Sequence, residues 1–371
     1  MNQSSRLISL DAFRGFTIML MILVNNPGSW QYVFSPLKHA EWHGCTPTDL
    51  VFPFFLFIMG AAMAFSFSRR MQENASRWPL YLQILKRTIL LIFLGLFMAW
   101  YLRWNFSTLR LPGVLQRIGL CYFIASMIIL HFNRRGWIIS TVLLLVGYWL
   151  AMAFIPFPGR GEEVWALNSN LAQYMDGLLL KGHVSKKDIG FDPEGLLSTF
   201  PAVGQVLLGY FTGRWLRSGT EPLQKTNGMF IAGNIAIVLG LAWSLVMPIN
   251  KQLWTSSYVL YTSGIALNLL AVSYWAIDIK GYGRYVKPFV IFGSNAILAF
   301  FGSGIMAKTM MLCKVTRGDG TEISIKAFVY DTLLRPLFGD WGASLMHALF
   351  FILIWLAVLT WFYRKKIFIK L

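Results

Sequence analysis

Apolar residues along this chain fall into blocks about 20 residues long, separated by short clusters of arginine, lysine and proline. A block of that length crosses the hydrocarbon core of a bilayer as a helix. Ten blocks can be drawn, over 9–27, 48–67, 82–102, 113–131, 136–155, 196–214, 228–248, 254–276, 287–311 and 342–363. The pattern predicts an all-α integral membrane protein, a polytopic bundle of about ten transmembrane helices. The segment 326–338 is too short and polar to span, and is placed as a helix lying in the interface. No fixed-period repeat and no paired broken helices are visible. Residues 1–371 therefore read as one transmembrane domain, with 156–195 as an extracytoplasmic loop.

Composition agrees: 13% of residues are charged, against about 25% in soluble domains. The formal charge is +17. Arg69-Arg70, Arg134-Arg135, Arg214 with Arg217, Lys280 with Arg284, and Arg364-Lys365-Lys366 alternate with less basic connections. That alternation places both termini in the cytoplasm and the loops holding His39 and 156–195 on the other side. The remaining positive charge suits anionic headgroups or an anionic, nucleotide-type ligand. Because the bases sit in scattered short loops, nucleic acid is not an expected partner. The first block follows Arg6, carries Asp11 and Arg14 and lacks a small-residue cleavage site, so it reads as a retained helix. Cys45, Cys121 and Cys313 show neither metal spacing nor a pairing pattern.

Polar residues inside the blocks carry the candidate chemistry. At about 100° per residue, with Asp11 at zero, Arg14 falls at about −60° and Asn25 at about −40°. This face must look into the bundle. It reads either as interhelical glue between Asp11 and Arg14 or as the wall of a polar corridor about 21 Å long. The second block opens at Asp49. Its Gly60 and Ala64 form a small-xxx-small pair suited to close helix packing.

Two of the five histidines, His39 and His43, lie in the loop before Asp49, with Glu41 between them. The order H-A-E-W-H departs from the H-E-x-x-H of zinc proteases, and no third ligand follows, so no metal is expected. The pair reads either as interfacial histidines without a role or as general-base chemistry. In the second case His39 takes a proton near neutral pH, Asp49 fixes its tautomer, and Asn25 donates to a developing oxyanion. His131 and His347 read as structural. The 156–195 loop, with Trp165 among Glu162, Glu163 and Asp176, reads as a sugar-binding surface or as a solvated cap.

The blocks Ser9-Leu-Asp-Ala-Phe-Arg-Gly-Phe16, Val24-Asn-Asn26, Lys38-His-Ala-Glu-Trp-His-Gly44 and Asp49 to Gly60 resemble the heparan-α-glucosaminide N-acetyltransferase family, closest in pattern to its bacterial NagX-type branch. Pro112 to Gly119, Asp192 to Leu197, Asn250-Lys-Gln-Leu-Trp254 and Gly293 to Ile297 extend the resemblance over nearly the whole chain. It implies a transmembrane acetyltransferase that moves an acetyl group from cytosolic acetyl-CoA, as donor substrate, to the amine of a glucosamine-type sugar on the other side. A bacterial inner membrane would be its location, and a homo-oligomer is allowed. His39 matches the family's active-site histidine, as base or acyl carrier, and Asn25 and Asp49 match its asparagine and aspartate. The animal enzyme has asparagine where this chain has His43, which makes His43 dispensable. The resemblance also implies that the large amino-terminal luminal domain is absent, so a short or free amino sugar is expected. Arg14 and Arg117, with Gln116 and Asn295 as polar liners, are the expected contacts to the donor. The alternatives are an amino-sugar transporter without acyl transfer, and acylation of a glycan hydroxyl in place of an amine.

Overall fold

The computed structural model describes residues 7–73, 77–102, 104–318 and 320–369, and of 68–73 the backbone only. Arg6 and the Arg69 and Arg70 side chains lie outside the described residues. The chain folds as α1 (Ile8–Asn25), α2 (Val51–Glu73), α3 (Trp78–Trp100), α4 (Val114–His131), α5 (Arg134–Phe154), α6 (Leu171–Leu180), α7 (Thr199–Leu216), α8 (Pro222–Trp243), α9 (Ser256–Ser273), α10 (Lys287–Ser294), α11 (Ala296–Leu312), β1 (Lys314–Thr316), β2 (Glu322–Ser324), α12 (Ile325–Phe328) and α13 (Arg335–Arg364). A π-helical turn, Tyr274–Ile279, prolongs α9, and another, Val329–Leu334, joins α12 to α13. The antiparallel hairpin β1–β2 pairs Val315 with Ile323.

Prolines in the first turn start α3, α8, α10 and α13, where their missing N–H costs nothing. Asn133 and Asn170 cap α5 and α6 by accepting from the backbone N–H of Gly136 and Gln173 at 3.0 and 2.9 Å.

Among the described residues, eight helices are long and apolar enough to cross a membrane, and α10 with α11 makes a ninth if the pair is one span. The chain is an all-α polytopic membrane protein. The expected span 196–214 is present as α7, but it is not among those eight. Its Gln205 and Thr212 are buried within the protein, and a helix enclosed by other helices need not be apolar toward lipid. The expected span 287–311 is broken: α10 and α11 meet at Asn295 with an 82° bend, the one such bent pair among the described residues. Segment 326–338, expected to lie in the interface, is helical through α12, the π turn and the start of α13. It ends at Gly339, whose φ of 66° breaks the helix.

Close contacts between small residues hold the helices together. A Cβ on Gly60 would lie 1.9 Å from the Val206 carbonyl oxygen, and one on Gly209 2.0 Å from that of Phe57. The backbones of α2 and α7 therefore touch, as the Gly60–Ala64 spacing predicts. Inside α11, Lys308 donates to the carbonyls of Met98 and Ala99 at 2.6 and 3.0 Å. Its ammonium thus caps the end of α3.

The polar stripe expected along α1 is not continuous. Arg14 bonds Asp11 at 2.9 Å and reaches the Gly293 carbonyl of α10 at 3.4 Å. Ile18 and Ile22, which share that face, are fully buried among apolar side chains of α10, α11 and α13. An acid–base pair one turn apart satisfies itself and needs no polar path beyond it. Buried polar groups lie instead between α7 and α9, where Gln205 donates to the Thr262 hydroxyl at 3.0 Å and leaves its own amide oxygen without a partner.

Candidate active site at the His39 loop

The loop from α1 to α2 gathers its polar groups around one carboxylate. Thr46 and Asp49 form a capping box over the short turn Pro47–Leu50. Asp49 Oδ2 accepts the backbone N–H groups of Ala40 and Thr46, each at 3.0 Å. Oδ1 lies 2.6 Å from His39 Nδ1. The Asp49 side chain is 1% exposed and that of His39 46% exposed. A buried carboxylate thus grips one nitrogen of an imidazole whose remainder is open. With Asp49 ionised, Nδ1 is the donor and carries the proton, leaving the Nε2 lone pair free. From behind, the Tyr258 hydroxyl donates to the Asp49 carbonyl at 2.5 Å.

A second loop, between α8 and α9, docks against the first. Gly44 donates to the Ile249 carbonyl at 2.7 Å and pairs with Asn250 in a parallel bridge. Gln252 donates to the Glu41 carbonyl at 2.9 Å. This docking brings Lys251 Nζ to 3.3 Å from Asp49 Oδ1 and to 3.0 and 3.4 Å from the His39 ring nitrogens. Burial lowers the Lys251 pKa, and the Asp49 charge opposes that shift. Next to it, Trp254 is fully buried with a left-handed φ of 52°. It stacks edge-on to Phe52 and Tyr258 with the Arg117 guanidinium 5.1 Å from its ring. A non-glycine residue held in that region costs energy, and such strain concentrates at functional sites.

The 156–195 segment is an ordered cap. Trp42 donates to the Trp165 carbonyl at 2.8 Å, and Lys186 lies over the Trp42 and Phe191 rings while bonding Gln252 at 2.7 Å. Arg110 grips Asp192 through two bonds of 2.7 and 2.6 Å and also pairs with Glu194. Burial lifts the Asp176 carboxyl to about 6, while the N–H groups of Leu196 and Asp192 pull it back. His43 meets Asn250 at 3.3 Å, with Glu163 4.0 Å away, and burial lowers its pKa. Burial also pushes the nearby Cys45 thiol up to about 12, so it is held as a thiol.

The other expected residues divide between two places. Asn25 ends α1 at the same end of the bundle as His39, but it is exposed and makes no side-chain hydrogen bond among the described residues. Its neighbour Asn26 is buried, and the Asn26 carbonyl lies 2.9 Å from Nδ1 of His347, which ties α1 to α13. Arg117 and Gln116 open α4 at the His39 end. Arg117 is buried and bonds the Gly195 carbonyl at 3.0 Å and the Ser198 hydroxyl. Arg14 stands about 16 Å further along α1, toward the opposite end. Asn295 belongs with Arg14, but its amide already bonds the tail, giving to the Ile367 carbonyl at 3.1 Å and accepting from Ile369 N–H at 2.8 Å. The structure thus brings Arg117 and Gln116 together at one end and Arg14 and Asn295 together at the other. Sequence reasoning gave Lys251 no role; its place in the Asn250–Trp254 motif was the available signal.

Comparison with known proteins points the same way. The chain is 31% identical to human heparan-alpha-glucosaminide N-acetyltransferase over 355 residues, 80% of this chain and 52% of that protein. It is 30% identical to the mouse protein of the same name over 363 residues, 82% of this chain and 54% of the relative. The chain is a homologue of the heparan-α-glucosaminide N-acetyltransferases. Residues 6–175 also match a family model described as a domain of unknown function, DUF5009. The chain spans about half the length of the curated relatives it matches.

Proposed function

We propose that this heparan-α-glucosaminide N-acetyltransferase homologue transfers an acetyl group from acetyl-CoA to the amine of a glucosamine-type sugar, with His39 as the base. The observation that carries the reading is the 2.6 Å contact between His39 Nδ1 and a buried Asp49, with the rest of the ring open. An amine that adds to a thioester must shed an N–H proton to become an amide, so a base must stand beside it. An imidazole whose other nitrogen is held by a carboxylate is suited to that task. The same Nε2 could carry the acetyl group itself, and a relay through acetyl-histidine uses no further residue. Asp49 orients the ring. Arg14, exposed in part at the far end, suits a cytosolic phosphate group, and Arg117 and Gln116 suit the wall beneath the acyl end. The donor then enters from the cytoplasm and the acceptor from the His39 side, in a bacterial inner membrane.

The test is release of free CoA thiol by purified protein in detergent with acetyl-CoA and glucosamine. CoA release above that of His39→Ala, with N-acetylglucosamine identified by mass, is expected. Equal release by both proteins overturns the reading. The transporter alternative draws support from the helix break at Asn295, since transporters build their sites on interrupted helices. Sugar accumulation in vesicles that persists in His39→Ala without an acyl donor would decide for it.

A further inference from the structure

The dyad of His39 and Asp49 accounts for the proton but not for the oxygen. When an amine adds to a thioester carbonyl, the π pair moves to oxygen, and that alkoxide needs donors already in place. Asn25, the residue expected to supply one, stands exposed at the end of α1 without a tie to the loop. We infer that Lys251 is the donor to this oxyanion and hence a catalytic residue of the site, an inference that rests on the acetyl-transfer reading above.

Donor bookkeeping supports this assignment. An ammonium has three N–H donors and no acceptor. One is directed at Asp49 Oδ1, 3.3 Å away. The imidazole can take neither of the other two. Nδ1 gives its own proton to Asp49. Nζ lies at almost the same distance from both ring nitrogens, 3.0 and 3.4 Å, so it lies off the axis along which the Nε2 lone pair points. Two N–H groups are therefore left over beside the one nitrogen that can act as base. The carbonyl carbon of an attacked thioester is one bond from the amine nitrogen whose proton Nε2 receives, so its oxygen forms within reach of those donors.

Position and environment strengthen the case. The Lys251 side chain is only 20% exposed, and a charge screened from water interacts more strongly with a developing anion. The ammonium is also fixed before the reaction, because Asn250 bonds the N–H of Leu253 at 2.9 Å and Thr255 at 3.0 Å, and Gln252 bonds the His39 loop. The charged and titratable groups around it are Asp49 from the Pro47–Leu50 turn, His39 and Cys45 from the first loop, and Glu194 from the cap.

The step balances. The amine nitrogen bonds the carbonyl carbon as the C=O π pair becomes an alkoxide hydrogen-bonded to Lys251, and the N–H proton goes to His39 Nε2. The alkoxide then re-forms C=O, the C–S bond breaks, and the leaving thiolate takes the proton from the imidazolium. Lys251 gives up no proton in either stage.

The experiment compares wild type, Lys251→Met and Lys251→Arg in CoA release with glucosamine, alongside binding of acetyl-CoA by calorimetry. Removing one preorganised donor costs about 10²- to 10³-fold in kcat. Lys251→Met is expected to lose that much while binding acetyl-CoA within about threefold of wild type. Lys251→Arg, which keeps charge and donors, should recover at least about tenfold of the loss. If Lys251→Met keeps kcat within about threefold of wild type, or loses it together with donor binding and without recovery by arginine, the assignment is overturned while the acetyl-transfer reading stands. No CoA release by wild type overturns both.

Discussion

Asp49→Asn is the sharpest perturbation of the proposed site. The replacement is nearly isosteric, but an amide offers one acceptor oxygen where the carboxylate offers two. Two backbone N–H groups, of Ala40 and Thr46, point at Oδ2 from 3.0 Å, and the Thr46 hydroxyl is equally close. The amide oxygen turns to that side, which presents two backbone N–H donors against the single ammonium of Lys251 on the other. The NH₂ then faces His39 Nδ1, 2.6 Å from the present Oδ1, and Lys251. Nδ1 becomes the acceptor, the ring proton moves to Nε2, and the open face of the imidazole changes from base to donor. A wrong tautomer at a comparable histidine costs about 10⁴-fold, or about 5 kcal/mol of transition-state energy. Because Asp49→Asn leaves the ring in place, we expect kcat for CoA release to fall about 10³- to 10⁴-fold. Raising the pH should not restore it, since the fault is tautomeric. The assay is thiol release at saturating acetyl-CoA and glucosamine from pH 6 to 9. A variant that keeps more than about a tenth of wild-type kcat, or that recovers at high pH, would refute the account of Asp49 as orienter.

Two further outcomes follow from packing and charge. Gly60→Ala places a methyl group 1.9 Å from the Val206 carbonyl oxygen, so α2 and α7 must separate at about 1–3 kcal/mol. A melting temperature in detergent equal to that of wild type would show that the two helices are not in backbone contact. Asp176 keeps its proton to about pH 6 when folded but releases it near 3.8 when unfolded. Its folded pKa is raised, so it makes stability fall as pH rises between those values, by about 3 kcal/mol in all. Melts of wild type and Asp176→Asn from pH 4 to 7 check this, and an identical slope in the two proteins contradicts it.

What could be read from the chain alone follows the range of each signal. The helices were legible because apolar block length is a local property, and each expected span meets a helix or, at 287–311, a helix pair. The contact of His39 with Asp49 spans ten residues and one turn, so a loop reading found it. Hydropathy is blind to direction, and it ran straight through the 82° bend at Asn295. The α1 stripe failed for a reason the same arithmetic contains: Ile18 and Ile22 fall at about −20° and +20° on that face, so the face was never wholly polar. Lys251 reaches His39 across a separation of 212 residues. Its place in the Asn250–Trp254 motif marks the loop, but nothing local shows which group the lysine meets.

The most direct measurement is a map of the protein with CoA bound. Entry of the nucleotide end from the side of the bundle that holds Arg14, with the sulfur about 3–3.5 Å from His39 Nε2, close enough to take its proton, is the predicted result. A sulfur lying elsewhere in the bundle, with Nε2 facing only protein or lipid, would contradict the account.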